Sequence, residues 1–318
     1  MPTSSPSIVA VALNPALDRT LQVTDLEIGS HVRGRLVSIQ PAGKAVNVAR
    51  LLGALGTPCI LTGFVGRDDR ERFEQSFEGM PVRVEMFEGH GPTRENITLV
   101  DPQRGQETHI RDVGFPVTED DLERLTKKLA ILAVKGSYVL FAGSLPPGLD
   151  ADGFAGLLQM CRDKGARVAV DSSGPGLEAI RKTKGLWLVK PNMAELAEIA
   201  GRPVASAADI RPVAEALRKT VDNVLVTMGA EGAWLFCRDG IWRARPRLET
   251  QSVIKTVGSG DALLAGFVRC HASKKRAPEC LRWGVACGTA ATLQLRAGAV
   301  NPYDVKACLE AVELVAEK

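Results

Sequence analysis

Histidines are few in this 318-residue chain, and the four present, His31, His90, His109 and His271, are scattered. No HExxH occurs, so a zincin-type centre is disfavoured. GxxxxGK(S/T), a GxGxxG following a strand and GxSxG are also missing, which disfavours P-loop nucleotidases, simple dinucleotide-binding dehydrogenases and nucleophile-elbow hydrolases. The seven cysteines (59, 161, 237, 270, 280, 287 and 308) are odd in number and none has CxxC spacing. A disulfide framework or structural zinc is therefore not expected, and thiols lying mostly within apolar segments read as reduced and buried, as in a cytoplasm. Apolar runs such as Ile8–Leu13 are strand-length, far short of the roughly 20 residues that span a bilayer. The first residues, Met1-Pro2-Thr3-Ser4-Ser5, have neither a basic nor an extended apolar region, so a cytoplasmic location without membrane contact is expected. Nor is there an excess of one charge: 40 Lys+Arg stand against 37 Asp+Glu, a net +3. That balance suits a pocket for small anions and gives no support for a nucleic-acid partner.

What is present is ordinary globular composition, 45% hydrophobic and 24% charged, with enough length for a large core. From about residue 135 onward, short apolar runs alternate with amphipathic stretches. Tyr138–Phe141, Arg167–Asp171, Leu186–Val189 and Val224–Thr227 read as strands. Between or before them, Thr118 opens a helix whose face is Leu122, Leu125, Leu129 and Leu132, and Ser206 opens another running to Thr220. This rhythm predicts an α/β fold with a doubly wound, mostly parallel sheet and helices on both faces. Residues 17–40 and about 81–113 show β-like alternation without helices. They predict a small inserted β-sheet, a lid on a single domain spanning 1–318.

Six segments could carry chemistry. Thr256-Val257-Gly258-Ser259-Gly260-Asp261 runs from a glycine turn into an apolar helix. Unpartnered backbone N–H groups and the helix dipole there favour an anion. Asp261 beside such a site suits a base that takes the proton of an attacking hydroxyl, or equally a helix cap. Pro41–Gly56 also opens a helix from a small-residue turn, with Lys44 and Asn47 placed to meet a sugar phosphate or simply to face solvent. Lys190-Pro191-Asn192-Met193-Ala194-Glu195 could hold waters around Mg²⁺, cap a helix, or do both. Thr227–Trp234 contains Gly229 and Gly232, which permit close backbone approach by a ligand or make a tight turn. Asn14–Asp18 and Gly143–Gly148 follow strands, where ligands of open α/β sheets gather.

Taken in order, NPALD, GKxxNVARxLxxLG, GSLPPG, DSSG, KPNxxEL, GxxGAW and TVGxGDxxxAGF, from Asn14 to about Gln294, resemble the PfkB/ribokinase-like carbohydrate kinases. Within them the chain is most similar to the branch of 1-phosphofructokinases and tagatose-6-phosphate kinases. The resemblance implies a ribokinase-like fold and ATP- and Mg²⁺-dependent phosphorylation of a ketohexose phosphate. Fructose 1-phosphate is expected ahead of tagatose 6-phosphate and fructose 6-phosphate. It implies Asp261 as base with Gly258, Ser259 and Gly260 as the anion hole. For the nucleotide it implies Lys190, Asn192, Glu195, Thr227, Gly229, Gly232, Thr256, Val285 and Gly288, with Asn192 and Glu195 reaching Mg²⁺ through water. Asp18, Gly43 and Asn47 match sugar contacts, and Lys44 and Arg94, with Ser144 nearby, match groups around the existing phosphate. A homodimer through the lid strands is expected.

Three departures from the family pattern stand out. Ala42-Gly43-Lys44-Ala45 replaces Gly-Gly-Lys-Gly; an alanine held at positive φ would store roughly 1–3 kcal/mol of strain, and a methyl in the pocket could change the sugar accepted. Ser259 stands within the glycine turn where Ala is commoner, and Ala262 follows Asp261 where Ser is frequent. Lys255 precedes the loop at which many relatives bind a monovalent cation such as K⁺; its ammonium either substitutes in part for that ion or points to solvent. Two other classes remain compatible: a non-catalytic sugar-phosphate-binding protein on this fold, and a kinase of nucleosides or unphosphorylated sugars.

Overall fold

Continuous apolar runs build the centre of the molecule. In a computed structural model, which describes residues 7–27, 29–247, 256–294 and 299–317, β1 (Ile8–Ala12) is buried along its whole length. Its alternate residues serve opposite layers: Ile8, Ala10 and Ala12 pack into one core, Val9 and Val11 into the other. That is the signature of a parallel strand covered on both faces. β1 lies between β4 (Cys59–Val65) and β8 (Tyr138–Ala142), parallel to both. Beyond β4 comes β5 (Val82–Glu88). Beyond β8 follow β9 (Arg167–Asp171), β10 (Leu186–Val189) and β11 (Val221–Thr227), all parallel. The antiparallel strands β12 (Ala233–Cys237), β13 (Gly240–Pro246) and β14 (Val312–Glu317) complete a ten-stranded sheet.

One face is covered by α1 (Lys44–Ala54), α8 (Ser259–Ala272), α9 (Ala277–Thr292) and α10 (Pro302–Ala311). The other carries α3 (Glu119–Leu132), α4 (Ala151–Asp163), α5 (Pro175–Lys182), α6 (Met193–Ala200) and α7 (Ala207–Arg218). The short α2 (Arg70–Gln75) contributes the buried Phe73 to the first face. The helix starts predicted at Thr118 and Ser206 are capping boxes, closed by Asp121 and Asp209. All seven cysteines are buried and free, and no described helix is long and apolar enough to cross a membrane.

A second, four-stranded sheet has the order β3-β2-β6-β7. It is formed by β2 (Ala16–Val23), β3 (Gly34–Ala42), β6 (Arg94–Asp101) and β7 (Gln106–Arg111). The predicted lid range 81–113 thus divides: Val82–Glu88 belongs to the large sheet. Val82, Val84 and Met86 pack on the main core while the alternate residues are more exposed. A half-buried edge strand and a lid strand leave the same period-two pattern. The small sheet is anchored where the chain leaves β1 and where β3 enters α1, and Ala16 pairs with Ala42 at that foot.

Winding outward from β1 runs to β4 and β5 on one side and from β8 to β11 on the other. The carboxyl ends of the strands flanking such a reversal form a crevice. Asn14, Ser144, Asp171, Lys190 and Thr227 all lie at or just beyond those ends.

Candidate active site

β9 delivers Asp171, 1% exposed, to the crevice, and the end of β10 delivers Lys190, 4% exposed. Lys190 Nζ lies 2.9 Å from Asp171 Oδ2, and Lys44 Nζ, from the first turn of α1, donates to Asp171 Oδ1 at 2.8 Å. Lys44 also reaches Glu195 Oε1 at 3.4 Å. Burial alone would push the Asp171 carboxyl up, but the Lys190 and Lys44 charges outweigh it and hold it below its ordinary value. Burial likewise works against the Lys44 ammonium, yet the Asp171 and Glu195 charges raise it above the usual lysine range.

Gly258 caps α8 with φ +88°, a conformation that favours glycine, and turns the chain so that Asp261 enters the same crevice. Asp261 Oδ2 accepts from Asn47 Nδ2 at 2.8 Å, and Asn47 Oδ1 accepts from Arg50 Nη1 at 3.1 Å. Burial, and then the neighbouring Asp171 charge, push the Asp261 carboxyl up to about 7, against the opposing pull of Asn47, Lys44 and Lys190. A carboxyl balanced there can take up a proton near neutral pH and release it again. A Cβ built on Gly260 would stand 3.4 Å from Lys190 Nζ, so the ammonium overlies the first turn of α8. Ser259 N–H donates to Thr256 O at 3.2 Å.

Asn192 and Glu195 form a full capping box on α6: Asn192 Oδ1 accepts from Glu195 N and Glu195 Oε2 from Asn192 N, each at 2.9 Å. An isolated parallel bridge joins Asn192 to Thr227, and the turn carrying Gly229 and Gly232 follows. A Cβ at Gly232 would sit 2.0 Å from Ala244 O, so that glycine serves a close backbone approach. Val285, 2% exposed, is buried on α9 within the core, and a Cβ at Gly288 would meet Ser259 O at 3.0 Å. Gly288 thus lets α9 pack closely on α8, and Val285 belongs to the main core.

Arg94 and Ser144 occupy a different part of the crevice. They line an open cavity of about 770 Å³ between the small sheet and the loop after β8. The Arg94 guanidinium donates to the carbonyls of Asn14, Pro15 and Asp112 at 3.0–3.2 Å. Asn14 donates to Val113 O, Ser144 Oγ and Leu145 O, tying that loop to the small sheet. Asp18 accepts from Asn96 Nδ2 at 2.9 Å. Lys44, expected with Arg94 around one phosphate, bonds here to the carboxylates of Asp171 and Glu195, while Arg94 lies on the cavity wall. Sequence reading assigned no role to Asp171, Asn14 or Asn96; DSSG and NPALD marked two of them as strand-end residues, but nothing local named their partners.

Gly43 has φ +118°, and a Cβ there would meet Pro15 Cα at 3.3 Å. Ala42 and Ala45 are not among the non-glycine residues with positive φ, so the strain considered for them does not arise. Ala45 packs in the main core. Lys255 lies outside the described residues.

The family described as "pfkB family carbohydrate kinase" matches residues 11–303. The chain belongs to that family. Curated relatives include a 1-phosphofructokinase of Vibrio cholerae, 37% identical over 92% of this chain and 91% of that one. Another is a 1-phosphofructokinase of Escherichia coli, 31% identical over 96% and 97%. Among solved structures, phosphofructokinase-2 of Escherichia coli in complex with potassium superposes with TM-score 0.89 at 24% identity, over 96% of this chain and 98% of that one. A chain described as a possible 1-phosphofructokinase of Thermotoga maritima gives TM-score 0.83 at 26% identity, over 98% and 100%. As a pfkB-family kinase, the chain is a phosphotransferase with an alcohol group as acceptor, built on the ribokinase-like fold.

Proposed function

We propose that the protein phosphorylates fructose 1-phosphate with ATP, giving fructose 1,6-bisphosphate and ADP. The observation that carries the chemistry is Asp261: a buried carboxyl, poised near neutrality, oriented by Asn47 and standing one turn inside a glycine-capped helix. The free primary hydroxyl of the sugar meets Asp261, its oxygen attacks the γ-phosphorus, its proton passes to the carboxylate, and the β–γ bridging oxygen departs with ADP. Lys190 and Lys44, paired at rest with Asp171 and, for Lys44, also with Glu195, supply positive charge beside the transferring group. The first turn of α8 adds its dipole.

The nucleotide is assigned to Lys190, Asn192, Glu195, Thr227, Gly229, Gly232 and Thr256. Among the described residues no cluster of three or more His, Cys, Asp or Glu side chains could hold a metal by itself. Asn192 Oδ1 and Glu195 Oε2 are committed to the cap, whereas Glu195 Oε1, among the described residues, meets only Lys44 at 3.4 Å. That oxygen suits a hydrated Mg²⁺ carried mainly by phosphates, held through water. Such an ion would draw charge off the β- and γ-phosphates. At the sugar end, Asp18, Gly43 and Asn47 would meet hydroxyls, and Arg94 with Ser144 the existing phosphate. The small sheet leaves Leu36, Val37 and Ile110 about half exposed, which supports pairing of two copies through it.

The resemblance to 1-phosphofructokinases favours fructose 1-phosphate over tagatose 6-phosphate and fructose 6-phosphate. The test is Mg²⁺·ATP-dependent ADP formation by the purified protein on these three, with fructose, ribose and adenosine alongside. Highest kcat/KM on fructose 1-phosphate is expected. Turnover confined to an unphosphorylated sugar or nucleoside, or none with sugar phosphate still bound, would overturn the reading.

A further inference from the structure

Two buried polar side chains of α1 lead away from Asp261. Asn47 and Arg50 stand three residues apart, on one face of the helix, and are 6% and 2% exposed. The Arg50 guanidinium donates through Nη1 to Asn47 Oδ1 at 3.1 Å and through Nη2 to Pro41 O at 2.7 Å. Its central carbon lies 5.7 Å from the centre of the Phe77 ring. Pro41 stands near the end of β3, an edge strand of the small sheet. One buried cation therefore joins the foot of that sheet to the amide that touches Asp261.

A guanidinium has donors, no acceptor and a permanent charge. It can face only the oxygen of the Asn47 amide, which turns Nδ2 toward Asp261 Oδ2, 2.8 Å away. An ionised Asp261 enforces the same orientation, because a carboxylate only accepts. A protonated Asp261 does not: a carboxylic acid has a donor as well as acceptors, and pairs equally well with an amide oxygen. Asp261 carries that proton in every turnover, from the attack of the sugar hydroxyl until the proton is released to water. At that stage Arg50 decides which way the amide points. A flipped amide would offer its oxygen to the acid and hold the proton in place, whereas the N–H face favours the carboxylate that the next turnover needs. Asp261 also feels Asp171 from β9, Lys44 from α1 and Lys190 from the end of β10, and the variants below leave all three side chains in place.

We propose that Arg50 is a positioning residue that acts through Asn47: it keeps the amide nitrogen turned toward Asp261 in both protonation states, so that the base returns to its proton-accepting form. The inference rests on the reading of Asp261 as the base and extends it one side chain further into the protein.

The test is the pH profile of kcat/KM for fructose 1-phosphate in wild type, Arg50→Met, Arg50→Lys, Asn47→Ala and the Arg50→Met, Asn47→Ala double variant. In Arg50→Met the acid limb moves up by about one unit, a loss of about tenfold on the acid side. Arg50→Lys, whose ammonium can still donate to Asn47 Oδ1, brings the limb back toward wild type. Adding Arg50→Met to Asn47→Ala moves it no further, because the amide through which Arg50 acts is gone. An unmoved limb in Arg50→Met, or the same shift with and without Asn47, overturns this inference and leaves the functional reading standing. Where loss of the buried guanidinium unfolds the chain, the Asn47 side-chain amide of the wild type is followed by proton–nitrogen NMR from pH 5 to pH 8. A single, exchange-protected pair of signals is expected throughout, and doubling or loss of protection at pH 5 counts against the inference. Wild type that phosphorylates no sugar phosphate, or an undiminished kcat in Asp261→Asn, overturns the reading of the base and this inference with it.

Discussion

Replacing Asp261 by asparagine should damage activity and stabilise the fold in the same protein. The side chain keeps its shape, and its Oδ1 can still accept from Asn47 Nδ2, 2.8 Å away in the wild type. What disappears is the proton acceptor, so kcat falls by about 10²–10⁴. The stability effect follows from linkage. Burial and the Asp171 charge raise the Asp261 pKa from 3.8 to about 7. Between those values the unfolded chain has released the proton and the folded chain still holds it, so wild-type stability falls as pH rises from about 4 to 7 and then levels off. Three pK units correspond to about 4 kcal/mol at most. With an unfolding entropy of about 2.1 cal/mol/K per residue, that is an upper bound of about 6 °C in Tm. Scanning calorimetry from pH 4 to pH 8 on both proteins should show the variant gaining on the wild type across this window and holding the gain above it. Parallel curves, or a variant less stable at pH 8, would refute the account of why Asp261 is poised near neutrality; an unimpaired kcat would refute its role as base.

Three further perturbations probe the same cluster. Asn47→Ala removes the hydrogen bond that favours the ionised Asp261, so the acid limb of the kcat/KM pH profile should move up by about one unit. Asp171→Asn leaves Lys44 and Lys190 without the carboxylate between them. Urea unfolding should show a loss on the order of 3 kcal/mol, and the acid limb should move down, because the Asp171 charge is one of the causes raising Asp261. Gly43→Ala forces a side chain onto φ +118° with Pro15 Cα 3.3 Å away. A cost of about 1–3 kcal/mol in urea and a raised sugar KM are expected.

Legibility in the sequence tracked how local each cause is. β8, β9, β10 and β11 are buried strands, and short continuous apolar runs announce such strands directly. Thr118 and Ser206 announced their helices because a capping box is closed within four residues. The glycine turn before Asp261 carried its own geometry in Gly258. Cross-chain facts were not legible. The Lys44–Asp171 contact joins residues 127 positions apart, and a lysine next to a glycine turn looks the same whether it faces a substrate or a carboxylate. Val82–Glu88 alternates as a lid strand would, and only its pairing with β4 assigns it to the large sheet. The alanines on either side of Gly43-Lys44 looked hazardous against the family pattern, but the backbone at both stays out of the positive-φ region.

The most direct measurement of the central claim is phosphorus NMR of the product formed from fructose 1-phosphate and Mg²⁺·ATP, with Asp261→Ala run beside the wild type. The account predicts a second phosphomonoester on the 6-position, appearing in step with ADP, and none with the variant. ADP released without a new sugar phosphomonoester, or the same product formed at an undiminished rate by Asp261→Ala, would contradict it.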